Sequence, residues 1–170
     1  MNKVSKDREL LFSNIFNSSF EYLYHYGLKI SRDKGLVEDC IQELFIRIWK
    51  NSVDLHAIKR IKPYLIKALR CSIFSSMRLK HYDILNQKDG QVNIEFSPED
   101  FYIRSQDEER MAKIMIDALD KLPQKQREAL YLRYFEELTL EEVADIMQVK
   151  IQSVKNNLQR GYKVLARILF

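Results

Sequence analysis

The stretch from Leu122 to Leu169 constrains the fold most tightly. Pro123 suits the first turn of a helix, where a missing N–H costs no hydrogen bond. That helix is expected over Gln124 to Phe135. Thr139 is placed to cap a second helix, and Glu142, three residues on, completes a capping box. Val143, Ala144, Ile146 and Met147 supply the apolar side of that short helix. Gln148, Val149 and Lys150 read as a tight turn into a third helix. On it Val154, Leu158 and Leu165 recur at helical spacing. Two short helices, a turn of about three or four residues and a longer final helix make a helix-turn-helix.

The opposite face of the last helix carries Gln152, Ser153, Lys155, Asn156, Gln159 and Arg160. Such side chains meet base edges and phosphates when a helix lies in a major groove. No Asp or Glu follows Asp145, whereas Lys150, Lys155, Arg160, Lys163 and Arg167 all do. One acid on that face would repel the phosphate backbone. A single helix of this kind reads more readily as a solvated basic surface. Cap, turn and charge asymmetry together favour DNA binding.

The rest of the chain is also helical in character. Its 170 residues allow one domain or two small ones, and only four Gly and three Pro interrupt them. At 46% hydrophobic and 31% charged the composition is globular, and the net charge of +4 matters less than its distribution. Cys40 and Cys71 are the only cysteines, which is no disulfide framework and suits a reducing cytoplasm. No stretch approaches the length of a membrane span, and no signal peptide is read at the N-terminus. There is no Gly-rich phosphate loop. His25, His56 and His81 lack metal-ligand spacing with either cysteine, so neither an enzyme, a metal site nor a cofactor is expected.

From Asp7 to Ile30, Leu11, Ile15, Phe16, Phe20, Leu23, Tyr24 and Leu28 recur at helical steps and read as packing core. Gly27 bends this helix or permits close packing. In a second helix, Leu36 to Lys50, Val37, Ile41, Leu44 and Ile48 form an apolar stripe. Asp39, Gln42 and Glu43 lie off it, followed by Phe45 and Trp49. Taken alone, this mixture fits a protein-binding face with aromatic anchors and a solvated face with Trp49 tucked into the core equally well. No acid occurs from Leu55 to Tyr82, where Lys59, Arg60, Lys62, Lys67, Arg70, Arg78 and Lys80 accompany Tyr64, Phe74 and Tyr82. Pro63 starts a helix there. Interleaved cations and rings suit unpaired nucleic acid, phosphates meeting the former and bases stacking on the latter. The alternative is a basic solvated face over an aromatic core. Acids then dominate from Asp83 to Glu109, with turn signals at Asp89-Gly90 and Ser97-Pro98, so 82–108 reads as a linker. Phe96, Phe101 and Tyr102 are placed to tack part of it onto a neighbouring surface. Helix resumes at Glu109. The expected fold is all-α, with small helical domains at 1–81 and 109–170.

This order of parts resembles a bacterial sigma factor of the extracytoplasmic-function type, in the sigma-70 family. The resemblance covers about Phe12 to Arg78 and Met111 to Ile168. The first domain is similar to sigma region two and the second to region four. Val37 to Trp49 resembles the family's polymerase-binding helix, which implies that Asp39, Gln42, Glu43, Phe45 and Trp49 meet core RNA polymerase. Tyr64, Lys67, Arg70 and Arg78 would then contact the melted strand of the downstream promoter element. Leu122 to Glu128 looks like the entry to region four. With the helix-turn-helix it implies upstream duplex contact by Arg127, Gln152, Ser153, Lys155, Asn156, Gln159 and Arg160. Where the family usually places Asn and Asp after Pro63-Tyr64-Leu65, this chain has Cys71 and Ser75. It also has Asn157 and Gly161 where Arg and Ala are common. The resemblance further implies an anti-sigma partner, a cytoplasmic protein and no covalent chemistry. The rival reading is a helix-turn-helix regulator whose N-terminal half binds a ligand or partner without polymerase.

Overall fold

The structure, a computed structural model, describes residues 3–55, 57–80 and 94–170. The expectations for His56, His81 and Tyr82 therefore lie outside the described residues. Helices and their connections account for what is described, and they fall into two compact units, residues 1–86 and 87–170.

The first unit packs three helices pairwise: α1 (Lys3–Ile30), α2 (Lys34–Lys50) and α3 (Ile61–Lys80). Asp33 starts α2, its Oδ1 accepting the Leu36 N–H at 3.0 Å. Pro63 does not begin α3 but sits in its first turn, where the N–H it lacks has no intrahelical partner anyway. Val37, Ile41, Leu44 and Ile48 of α2 are buried as their spacing predicts. They meet Leu23 and Tyr26 of α1 and Leu65, Ile66, Leu69 and Ile73 of α3 in one core. Each such aliphatic side chain contributes about 1.5–3 kcal/mol on burial. The helices come closest at Gly27, where an added Cβ would lie 2.5 Å from Val37 Cγ1 and 3.4 Å from Ile73 Cδ1. Gly27 thus serves close packing. Ser52, at φ 49°, ends α2, and the Val53 N–H returns to the Ile48 carbonyl at 3.2 Å.

The second unit holds α4 (Gln106–Asp120), α5 (Gln124–Leu130), α6 (Leu140–Met147) and α7 (Ile151–Leu169). Its core reaches back into the acidic stretch. Ile94 and Phe96 are buried, and Phe96 lies 6.0 Å from Tyr131 and 5.2 Å from Phe135 between ring centroids. Phe101 meets Phe135 edge-on at 5.6 Å, while Tyr102 stays exposed with Arg104 over its ring. Ser105 caps α4, its Oγ accepting the Glu108 N–H at 3.2 Å. Asp107, Glu108 and Glu109 complement the positive end of that helix. The expected α-helix from Gln124 to Phe135 is α-helical only to Leu130. Tyr131–Phe135 widens into a π-type turn, in which the Glu136 N–H reaches the Tyr131 carbonyl at 3.2 Å. Arg133 Nη1 donates to the Leu138 carbonyl at 2.8 Å and ties the following bend to this turn. No described helix is long and apolar enough to cross a membrane.

Candidate functional site

The helix-turn-helix forms from local chemistry. Thr139 Oγ1 accepts the Glu142 N–H at 3.2 Å, and Glu142 Oε2 accepts the Thr139 N–H at 2.8 Å. This is the reciprocal capping box that starts α6. Gln148 ends α6 in the left-handed region, at φ 56° and ψ 45°. The Val149 N–H then closes onto the Ala144 carbonyl at 3.0 Å. Three residues after Gln148, α7 begins. Its inner stripe, Val154, Leu158 and Gly161, is buried. At Gly161 an added Cβ would sit 3.1 Å from Leu130 Cδ1, so α5 and α7 approach closely there.

The outward face of α7 exposes Gln152, Lys155, Asn156, Gln159 and Arg160, with Ser153 half-buried beside them. Gln152 Nε2 donates to Asn156 Oδ1 at 3.0 Å. That bond does not use the Gln152 amide oxygen or the Asn156 amide nitrogen, an acceptor and a donor of the kind that reads base edges. Arg127 requires a correction. It does not join this face: its side chain is only 12% exposed and its Nη1 lies 3.4 Å from Asp120 Oδ1. Its guanidinium secures α5 to the end of α4. Tyr134 and Tyr162 touch through their hydroxyls at the edge of the α7 face, a pairing across 28 residues that sequence spacing does not reveal.

In the first unit, Asp39, Gln42 and Glu43 are exposed on α2 and Trp49 is 39% exposed. Phe45 is not a surface anchor. It is 3% exposed, wedged edge-on against Phe12 and Phe16 at centroid distances of 5.7 and 4.9 Å. The α2 residues divide between two grooves. Gln42, Ile46 and Trp49 border an apolar groove of about 530 Å³ with Phe12 and Phe16 of α1. Glu43, Arg47 and Asn51 border a more polar one of about 440 Å³ with Tyr64, Cys71 and Ser75 of α3.

On α3, Tyr64, Lys67, Cys71, Ser75 and Arg78 fall at i, i+3, i+7, i+11 and i+14 and share one face. Tyr64 and Arg78 are exposed and Lys67 is half-buried. Arg70 points elsewhere and is 5% exposed, its guanidinium stacked 4.8 Å from the Phe74 ring centroid. It is a packing residue, a correction to the expected strand contact. Charge composition found Arg70 and Arg78 equally, because a count of cations carries no direction. Among the described residues no three His, Cys, Asp or Glu side chains are grouped to hold a metal ion.

Comparison with known proteins bears on both units. Residues 112–165 match the family model described as Sigma-70, region 4. The RNA polymerase sigma factor SigM of Bacillus subtilis is 26% identical over 149 residues, spanning 86% of this chain and 88% of that protein. SigW of the same organism is 22% identical, spanning 98% of this chain and 93% of its own. Among solved structures, the sigma factor RpoE of Bartonella quintana, crystallised with the anti-sigma factor NepR, has this fold. It superposes with a TM-score of 0.59 at 22% identity, covering 96% of this chain and 97% of that one. The similarity extends well beyond the helix-turn-helix: over most of its length the chain is similar to extracytoplasmic-function sigma factors, and residues 112–165 match region 4 of the sigma-70 family.

Proposed function

We propose that this chain binds core RNA polymerase and directs it to a specific set of promoters, performing no covalent chemistry itself. The observation that carries the reading is the outward face of α7, which is acid-free, amide-rich and basic and is held out by a capped helix-turn-helix. In this reading α7 enters the major groove of the upstream promoter element. Gln152, Asn156 and Gln159 meet base edges while Lys155 and Arg160 take phosphates. The α3 face of Tyr64, Lys67 and Arg78 receives the downstream element as it opens. Stacking of one base on Tyr64 offsets about 1–3 kcal/mol of the melting energy. Asp39, Gln42, Glu43 and Trp49 meet polymerase. The acids give the interface electrostatic selectivity and the indole gives it a desolvated anchor. An anti-sigma partner is part of this proposal, since RpoE of Bartonella quintana is held by one. So is action in the cytoplasm, where polymerase works.

The test uses the full chain with two variants. Reversing Asp39 and Glu43 to Lys should weaken polymerase binding without changing the helical circular dichroism. Arg160→Ala should leave polymerase binding intact, weaken promoter capture by the assembled complex and flatten its salt dependence by a slope of about 1. Polymerase affinity unmoved by the double reversal would remove α2 from the interface. An unaltered salt slope would remove Arg160 from the phosphate contacts.

A further inference from the structure

Trp49 is the chain's only tryptophan, and its surroundings are unusual for a half-exposed indole. It lies at the end of α2, where backbone carbonyls lose their intrahelical partners and the helix dipole is negative. Arg8 of α1, 41 residues away, meets both needs. Its Nη2 donates to the Trp49 carbonyl at 2.7 Å, alongside the Ser52 N–H at 3.2 Å. Its guanidinium carbon also sits 4.6 Å from the centroid of the Trp49 ring. The ring is contacted from α1 by Phe12 as well, edge-on at 5.1 Å. Arg8, Phe12 and Trp49 border a cavity of about 360 Å³ that Ser52–Leu55 also line. Trp49 also forms one wall of the apolar groove bordered by Phe12, Phe16, Gln42 and Ile46. The indole thus stands between two open spaces. From α1, Phe12 and Arg8 contact the ring, and Arg8 alone also bonds the backbone of the same residue.

We propose that Arg8 is a positioning residue for polymerase binding: it fixes the Trp49 indole in the orientation that the partner meets. This rests on the reading of Trp49 as a polymerase contact. The physical argument is preorganisation. A planar guanidinium that both stacks on a ring and hydrogen-bonds the backbone of the same residue restrains the backbone end and the ring together. Without it the ring samples both cavities, and ordering it again on binding costs about 0.5–1.5 kcal/mol, or roughly two- to tenfold in affinity. The side chain of Arg8 is exposed, so the fold does not depend on its burial.

The experiment compares wild type, Arg8→Ala, Arg8→Lys and Trp49→Ala. It reads affinity for core RNA polymerase, melting temperature, and near-ultraviolet circular dichroism with acrylamide quenching of the single tryptophan in the free chain. Arg8→Ala is expected to lose about two- to tenfold in affinity, to change the tryptophan dichroism and to quench more readily, at little cost in melting temperature. Arg8→Lys, which keeps the donor and the charge, is expected to recover part of each. Trp49→Ala is expected to lose about thirtyfold or more, as a central anchor does. If Trp49→Ala binds poorly while Arg8→Ala binds like wild type, the positioning role is overturned and the Trp49 contact stands. If Arg8→Ala binds poorly with an unchanged tryptophan signal, Arg8 touches the partner directly and the proposal fails. If Trp49→Ala binds normally, the underlying contact falls and the positioning role falls with it.

Discussion

At Gly27 the missing Cβ is what allows three helices to meet. A methyl group would lie 2.5 Å from Val37 Cγ1, and Val37 is fully buried with no room to yield. Gly27→Ala should therefore destabilise the chain by about 1–3 kcal/mol through overpacking. Gly161 makes the contrast. There the methyl meets the flexible end of Leu130 at 3.1 Å, a few tenths of an ångström too near. The helix gains about 1 kcal/mol of propensity in return. Gly161→Ala should leave stability unchanged or slightly raised. Urea midpoints at constant m-value check both, and equal losses at the two sites would contradict the packing described. Residue type gave part of this: Gly27 stood out in the sequence as a bend or a close approach, and it is a close approach. Direction was harder to see. Arg70 and Arg78 lie about 80° apart around α3 at 3.6 residues per turn. One stacks inside on Phe74 and the other is exposed. Phe45 likewise turns from the expected partner face into the rings of Phe12 and Phe16.

At the scale of elements, helix starts and stops were legible where a side chain makes a local bond. The Thr139–Glu142 capping box spans four residues and needs nothing else to form. Thr139→Ala should cost about 1 kcal/mol. Because α6 braces α7, it should lower promoter binding only as far as it lowers stability. A loss of DNA binding far beyond the measured destabilisation would mean that Thr139 itself touches DNA. Elements fixed by distant partners were not legible. The turn of Tyr131–Phe135 widens where the Leu132 carbonyl takes the Leu138 N–H and Arg133 reaches the Leu138 carbonyl. The buried anchor at Phe96 depends on rings some 35–39 residues further on. Its acidic neighbourhood reads as a connecting stretch because composition registers solvated charges and not the rings between them.

At the scale of the whole molecule, the chain divides its labour between two units with separate cores. One carries α2 and α3 with their two grooves; the other carries a helix-turn-helix with an acid-free outward face. The proposed function would use that division, because polymerase binding, strand capture and duplex reading demand different surfaces. An all-helical chain of two small domains was legible from periodicity and from the scarcity of glycine and proline. The pairing of Arg8 with Trp49 was not, since no local rule links residues 41 positions apart. The most direct measurement is a titration of the purified chain against sigma-free core RNA polymerase, followed by transcription from genomic fragments. A one-to-one complex that initiates at new start sites is the predicted result. No complex with polymerase, together with sequence-specific DNA binding by the chain alone, would contradict it and leave a helix-turn-helix regulator in its place.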